Sequence, residues 1–266
     1  MTAMADILDR IIADKREEVA KCKAMKPMSE LLNELERSPL HRIVSMRRAL
    51  QTSESGIIAE FKRRSPSKGW INSDADPVLT ASAYVSAGAA AISVLTDEKY
   101  FGGSLDYLRA IRSAVDVPLL RKEFVVDEYQ LVEARLAGAD AVLLIASALS
   151  FDDCLALTAT AHQLGLEVLL EIHGADELHY IETRPDMIGV NNRHLGTFNT
   201  DVAQSFAMAA KLPADAVLVS ESGISDAGTV SRLRQAGFRG FLIGETFMRQ
   251  VSPGEALQQL IMNILC

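Results

Sequence analysis

Five separated places in the sequence end a short apolar run with charged or amide side chains. They read Ala59-Glu60-Phe61-Lys62, Leu120-Arg121-Lys122-Glu123, Leu170-Glu171-Ile172-His173, Val190-Asn191-Asn192-Arg193 and Ser220-Glu221-Ser222-Gly223. A carboxylate and a lysine at short range tune each other's proton affinity, which general acid–base catalysis at neutral pH requires. Glu60 and Lys62 are two apart, so on a strand they share one face while Phe61 points the other way. One such ending is an ordinary solvated strand terminus. Five in one chain point to a common site.

A second chemistry follows the last two of the apolar runs. Ser220-Glu221-Ser222-Gly223-Ile224 leads toward a helix near Ser225-Asp226, and Phe241-Leu242-Ile243-Gly244-Glu245 leads into a short helical turn. Glycines there let backbone N–H groups approach an anion at helix N-termini, an arrangement suited to a phosphate. The Glu245 side chain is expected to point away while its N–H points in. The stretch Lys62 to Gly69 carries four cations within seven residues and ends in a glycine, consistent with a mobile basic lid, and Trp70, the single tryptophan, follows directly. The five histidines show no metal-ligand spacing, and a structural role is expected for His173. No metal, no cofactor and no Ser–His nucleophile pair is expected.

These residues need elements that bring them together. From residue 57 onward, apolar runs alternate with amphipathic stretches: Ile57–Phe61, Ala90–Leu95, Val117–Leu120, Ala141–Ile145, Glu167–Leu170, Met187–Val190, Val217–Val219 and Gly240–Ile243. They are too short for helices and apolar on both faces, as buried parallel strands must be. Ala87-Gly88-Ala89, Ala137-Gly138-Ala139-Asp140, Leu164-Gly165-Leu166 and Ala236-Gly237-Phe238 repeat one helix-to-strand turn. Eight such units predict an α/β fold, a (β/α)8 TIM barrel over 57–266, whose strand C-termini gather on one rim. An open doubly wound sheet is the alternative, but no G-x-G-x-x-G follows the first strand. Residues 1–50 instead show helical spacing at Ile7–Val19, Leu31–Leu35 and Ile43–Leu50, an N-terminal helical extension expected across one end of the barrel. The whole, 1–266, reads as one domain.

The formal charge of −8, without a basic block, speaks against nucleic-acid binding and against a membrane surface. Cys22, Cys154 and Cys266 stand far apart, which fits neither a disulfide framework nor a zinc site. Asp6, Asp9 and Arg10 interrupt the first apolar residues, so no signal peptide is expected, and no run approaches the length of a membrane span. A soluble, cytoplasmic protein acting on a small phosphorylated molecule is the expectation.

The segment Ile58-Ala59-Glu60-Phe61-Lys62-Arg63-Arg64-Ser65-Pro66-Ser67 resembles the "I-A-E-x-K-x-x-S-P-S" signature of indole-3-glycerol phosphate synthases. The similarity continues through Leu95–Ser104, Leu120–Phe124, Leu170–His173, Val190–Arg193 and Ser220–Ile224, and it includes the N-terminal Ile7–Arg16 stretch. The resemblance implies a lyase of tryptophan biosynthesis, a cofactor-free carboxy-lyase that closes the pyrrole ring of 1-(2-carboxyphenylamino)-1-deoxyribulose 5-phosphate with loss of carbon dioxide and water. It implies Lys122 as general acid toward the substrate C2 carbonyl, with Glu60, Lys62 and Glu171 in the remaining proton transfers and Lys62 also near the substrate carboxylate. Asn191 and Glu221 would hold substrate hydroxyls or orient the lysines. Ser65, Ser222, Gly223, Gly244 and Glu245 match phosphate positions, and Phe101, Phe124 and Leu143 the aromatic pocket. His194 departs from the acidic or Asn residue common in the family, and Trp70 is bulky for its place. With nothing after Cys266, the chain resembles the monofunctional form; association with other enzymes of the pathway is not readable. Two other readings stay open: an aldolase forming a Schiff base through Lys122, and a catalytically silent barrel.

Overall fold

The structure, a computed structural model, describes residues 7–194 and 199–266, so Asp6 lies outside the described residues. Eight parallel strands form the barrel: β1 (Ile57–Phe61), β2 (Ala91–Leu95), β3 (Leu119–Lys122), β4 (Ala141–Ile145), β5 (Glu167–Ile172), β6 (Met187–Asn191), β7 (Val217–Glu221) and β8 (Phe238–Ile243). The sheet closes through pairing of β1 with both β8 and β2. Helices alternate with the strands around the outside. The four repeated turn glycines, Gly88, Gly138, Gly165 and Gly237, all take the left-handed backbone that ends a helix, with φ of 96°, 86°, 77° and 106°.

Several strands outrun their apolar residues. β3 continues to Lys122, β5 to Ile172, β6 to Asn191 and β7 to Glu221. The ladder is made by backbone groups, so it persists where the side chains become polar, provided those side chains find partners inside.

Alternation divides the apolar residues into two sets. Ile57, Ala59, Phe61, Leu170, Ile172, Ile188, Val190 and Leu218 face outward and pack under the surrounding helices. Ile58, Leu120, Leu143, Leu169, Met187, Val217, Val219 and Leu242 fill the barrel interior.

The N-terminal extension forms three helices, α1 (Ile7–Met25), α2 (Met28–Arg37) and α3 (Met46–Thr52). It meets both ends of the barrel, not the single end its sequence suggested. Met46 and Leu50 of α3 are buried among the interior side chains at the strand N-termini. There Glu167, at the start of β5, takes Ser45 Oγ at 2.5 Å and the Arg47 N–H at 2.8 Å. Ser45 also caps α3, accepting the Arg48 N–H at 3.1 Å, which is why the helix starts at 46 and leaves Ile43 and Val44 outside it.

At the opposite end, Leu8 and Ile11 of α1 lie over the strand C-termini. One buried cation fastens this helix. Lys15, 2 % exposed, places Nζ 3.0 Å from Asp97 and 3.1 Å from Glu123, with Glu18 at 2.8 Å. Glu123 in turn accepts from Thr96 Oγ1 at 2.6 Å, so helix, β2 end and β3 end share one polar cluster. Among the described residues, no helix is long and apolar enough to cross a membrane.

Candidate active site

A cavity of about 740 Å³ opens at the C-terminal mouth of the barrel. The interior parity of each strand decides which side chains enter it. Ile58 and Glu60, Leu120 and Lys122, Leu169 and Glu171, Gly189 and Asn191, and Val219 and Glu221 are pairs two apart on the inner face. The register agrees: Asn191 stands opposite Glu221, and Glu171 opposite Gly189.

Lys122 sits at the centre of the polar floor. Its Nζ donates to Glu171 Oε2 at 3.1 Å and lies 3.5 Å from Glu221 Oε2. Asn191 Nδ2 donates to the other oxygen of Glu171 at 3.0 Å, while Asn191 Oδ1 accepts the Arg193 N–H at 3.0 Å. Lys62, just beyond β1, contacts Glu60 Oε2 at 2.5 Å, as their shared face predicted.

Two glycines leave room for these carboxylates. A Cβ on Gly189 would fall 2.2 Å from Glu221 Oε1, and one on Gly244 would fall 2.3 Å from Glu60 Oε2.

Burial and mutual charge set the proton affinities. Desolvation alone would depress the Lys122 ammonium, yet Glu171, Glu221 and Glu60 together hold it above the ordinary lysine range. Glu171 goes the other way from an ordinary buried acid. Burial would raise it, but Lys122, His173 and Asn191 hold it ionised below the usual carboxylate range. Glu221 receives the opposite balance. Burial, opposed by Lys122 but reinforced by Glu171 and Glu60, raises its carboxyl to about 8, with a hydrogen bond shared with Glu171 adding to the rise. Two neighbouring carboxyl groups are thus driven apart, one ionised and one protonated, around a single ammonium.

The cavity wall near α1 is apolar. Phe101 and Phe124 stand with ring centroids 6.0 Å apart at 39°, and Leu8, Ile11, Leu95, Leu143 and Ile145 complete a slot suited to an aromatic ring.

The opposite wall suits an anion. Ser222 and Gly223 both have left-handed backbones, φ 67° and 77°, turning the chain sharply where β7 ends, and Gly244 and Glu245 follow β8. The Asp226 carboxylate caps the helix Ala227–Gln235 by accepting the Thr229 N–H at 2.8 Å, so that helix start is already occupied. The Glu245 side chain does not point away as expected. It lines the cavity between Arg249 Nη2 at 2.5 Å and Arg193 Nη2 at 3.4 Å.

The structure therefore brings together on the cavity Glu60, Lys62, Lys122, Glu171, Asn191, Glu221, Ser222, Gly223, Gly244, Glu245, Phe101, Phe124 and Leu143. Ser65 is set apart. It is buried beside the cavity lining, its Oγ without a partner, in a two-residue hairpin whose other arm is Gly69–Trp70. Arg63 and Arg64 lie 5.4 Å and 5.8 Å from the Trp70 ring, which gives that indole two cationic neighbours.

Sequence reasoning missed Arg249 and the α1 residues as parts of the lining, and it placed Arg193 and Glu123 at the rim without giving either a role. Arg193 was signalled by its position two residues after Asn191. Arg249, four residues after Glu245 on a helical turn, was signalled by spacing. His173 was expected to be structural. Its Nε2 lies 3.4 Å from Glu171 Oε1 and its Nδ1 3.6 Å from Glu177 Oε2, ion-pair distances, and these carboxylates outweigh burial and lift the imidazole to about 10.

The fold recurs in solved structures of low sequence identity. A variant of the tryptophan synthase α-subunit from Pyrococcus furiosus matches with a TM-score of 0.59 at 12 % identity, covering 80 % of this chain and 98 % of that one. The 3-hexulose-6-phosphate synthase of Salmonella typhimurium matches with a TM-score of 0.59 at 14 % identity, covering 79 % and 98 %. Sequence similarity is far more specific. The indole-3-glycerol phosphate synthase of Bacteroides thetaiotaomicron is 59 % identical over 261 residues, 98 % of this chain and 100 % of the relative. That of a Polaromonas species is 44 % identical over 260 residues, 97 % and 98 %. The family model described as indole-3-glycerol phosphate synthase matches residues 8–260, and on these grounds the chain belongs to the indole-3-glycerol phosphate synthase family.

Proposed function

We propose that this chain converts 1-(2-carboxyphenylamino)-1-deoxyribulose 5-phosphate to indole-3-glycerol phosphate, using Lys122 as the acid that starts the reaction. One observation carries the assignment: an ammonium held by two carboxylates, 3.1 and 3.5 Å away, on the floor between an aromatic slot and an arginine-flanked turn. The slot takes the anthranilate ring, the arginine side takes the phosphate, and the substrate C2 carbonyl comes to rest over Lys122.

The ring carbon that bears the carboxylate attacks C2 as Lys122 gives its proton to the carbonyl oxygen. Loss of carbon dioxide then restores aromaticity and needs little beyond placement. Dehydration needs one proton delivered to the C2 hydroxyl and one removed from C1. Lys62 and Glu60, paired at 2.5 Å, make this exchange in the proposed reaction, with Glu171, held against Lys122, as the further proton-transfer group and Lys62 also near the departing carboxylate. Asn191 and Glu221 orient the central carboxylate and lysine. Ser222, Gly223, Gly244 and Glu245 hold the phosphate through backbone N–H groups, with Arg193 and Arg249 supplying charge; Ser65, buried off the cavity lining, takes no part. The steps are one polar carbon–carbon bond formation, two heterolyses and the proton transfers that accompany them, and no change of oxidation state needs an outside electron carrier.

A Schiff base through Lys122 fits the site less well, because the surrounding carboxylates favour the ammonium over the nucleophilic amine. Residues 1–266 are read as one domain working in the cytoplasm on a small phosphorylated molecule, without nucleic acid or membrane. The test is the rise of indole fluorescence when purified protein meets the substrate. No turnover would overturn the assignment, as would a borohydride-trapped adduct on Lys122.

A further inference from the structure

Ring closure with decarboxylation consumes a proton. The substrate carboxylate leaves as neutral carbon dioxide, its electron pair returning to the ring, while the proton that Lys122 placed on the C2 oxygen departs in water. The hydroxyl's second proton and the proton lost from C1 cancel. One solvent proton must therefore reach Lys122 in each catalytic cycle, although the lysine lies on the floor of the cavity beneath the bound substrate.

We infer that His173 and Glu177 form the proton-return path to Lys122, passing through Glu171; the inference rests on the reaction proposed above. The path is a continuous row of titratable groups. Glu177 leads to His173 Nδ1 at 3.6 Å, His173 Nε2 to Glu171 Oε1 at 3.4 Å, and Glu171 Oε2 to Lys122 Nζ at 3.1 Å.

His173 stands just past the end of β5, off the cavity lining, with its side chain partly open to solvent. Its own amide N–H donates to Glu177 Oε2 at 2.5 Å and Gln204 Nε2 donates to its carbonyl, so the backbone under the ring is fixed, while both ring nitrogens are buried and each has a carboxylate oxygen at ion-pair distance.

The transfer balances as follows. The Nε2–H bond of the imidazolium breaks as an O–H bond forms on Glu171 Oε1. The carboxyl group turns and gives that proton to the neutral amine of Lys122; the ring, which keeps its Nδ1–H, turns over about its Cβ–Cγ bond and regains a proton at the vacant Nε2 from solvent by way of Glu177. The overall transfer runs toward Lys122, since the imidazolium is held at about 10 while the Lys122 ammonium lies above the lysine range; the protonated Glu171 on the way is a short-lived carrier, because that carboxyl is held below the usual range.

The experiment compares His173→Gln with the wild-type chain under enzyme excess and under substrate excess, following indole fluorescence. Lys122 starts charged, so the single-turnover rate of His173→Gln is expected within about threefold of wild type. Its steady-state kcat is expected to fall about tenfold or more, with KM nearly constant, and to climb back as imidazole is added. Glu177→Gln is expected to follow in the same direction with a smaller loss, which guards against a misfolded His173 variant. Equal slowing in both regimes without response to imidazole would mean a purely structural histidine and overturn the path, as would unchanged rates in both regimes. If the wild-type protein itself forms no indole product, the assigned reaction fails first and the path falls with it.

Discussion

Glu221 lies 3.5 Å from the Lys122 ammonium, and Glu171 lies 3.1 Å from the same atom, yet the two carboxyl groups hold protons very differently. Glu171 is ionised well below the usual range, and Glu221 keeps its proton to about pH 8. Below that pH the ammonium therefore faces one charged neighbour and one neutral one. Above it a second negative charge appears, which tightens the proton on Lys122 and makes it a poorer acid.

Activity should accordingly fall on the alkaline side with an apparent value near 8 that belongs to the cluster as a whole. Glu221→Gln keeps the neutral shape at all pH values and is expected to lose this alkaline fall. A kcat–pH profile of the variant that reproduces the wild-type limb would refute the assignment.

Lys122→Met removes the proposed acid. We expect kcat to drop at least about 10³-fold, with secondary structure retained by circular dichroism and phosphate affinity little changed. Retention of a tenth or more of the activity would show that another group protonates the carbonyl.

Gly189→Ala tests the placement of Glu221 without touching an ionisable group. The added Cβ would meet Glu221 Oε1 at 2.2 Å, so the carboxyl must shift. A loss of about tenfold or more in kcat is expected from a displacement of this size. Unchanged kcat with intact folding would mean that the position of Glu221 is unimportant.

Arg193 and Arg249 flank Glu245 at the proposed phosphate wall, and Arg193 is the more buried of the two. Arg193→Gln is expected to raise KM roughly ten- to a hundredfold, the range for a lost charge-assisted hydrogen bond, with a smaller change in kcat. Arg249→Gln should act in the same direction and less strongly. Steady-state kinetics with substrate, together with inhibition by inorganic phosphate, separates these outcomes.

Lys15→Met strands Asp97 and Glu123 without their cation. Unfolding in urea is expected to lose about 3–5 kcal/mol, the usual cost of breaking a buried pair. Lys99→Ala, which breaks the exposed contact of Lys99 with Asp14, should leave stability nearly unchanged. Equal effects of the two substitutions would deny Lys15 its special place.

The barrel was legible because its strands are buried on both faces and its turns repeat a glycine of one conformation. The gathering of polar residues on one cavity floor was legible for a related reason. Polar residues two apart with an apolar partner, such as Glu60 and Ile58, announce that an interior face has reached the mouth. Strand ends were misjudged where polar residues continue the ladder, as at Lys122 and Glu221. Contacts between distant elements left weaker traces. Nothing local in Asp9–Val19 says that Lys15 will be buried, because its partners lie at Asp97 and Glu123. The orientation of Glu245 was lost for the same reason, since Arg193 arrives from another strand.

Lys15 has a consequence for synthesis on the ribosome. Helix α1 emerges before any strand, while Glu123, which helps neutralise its buried cation, is made roughly a hundred residues later. The roof over the polar floor is translated ahead of every strand and cannot be fastened until the third strand has appeared. A nascent chain halted before Glu123 would carry that helix loose, its apolar side bare to chaperones and proteases.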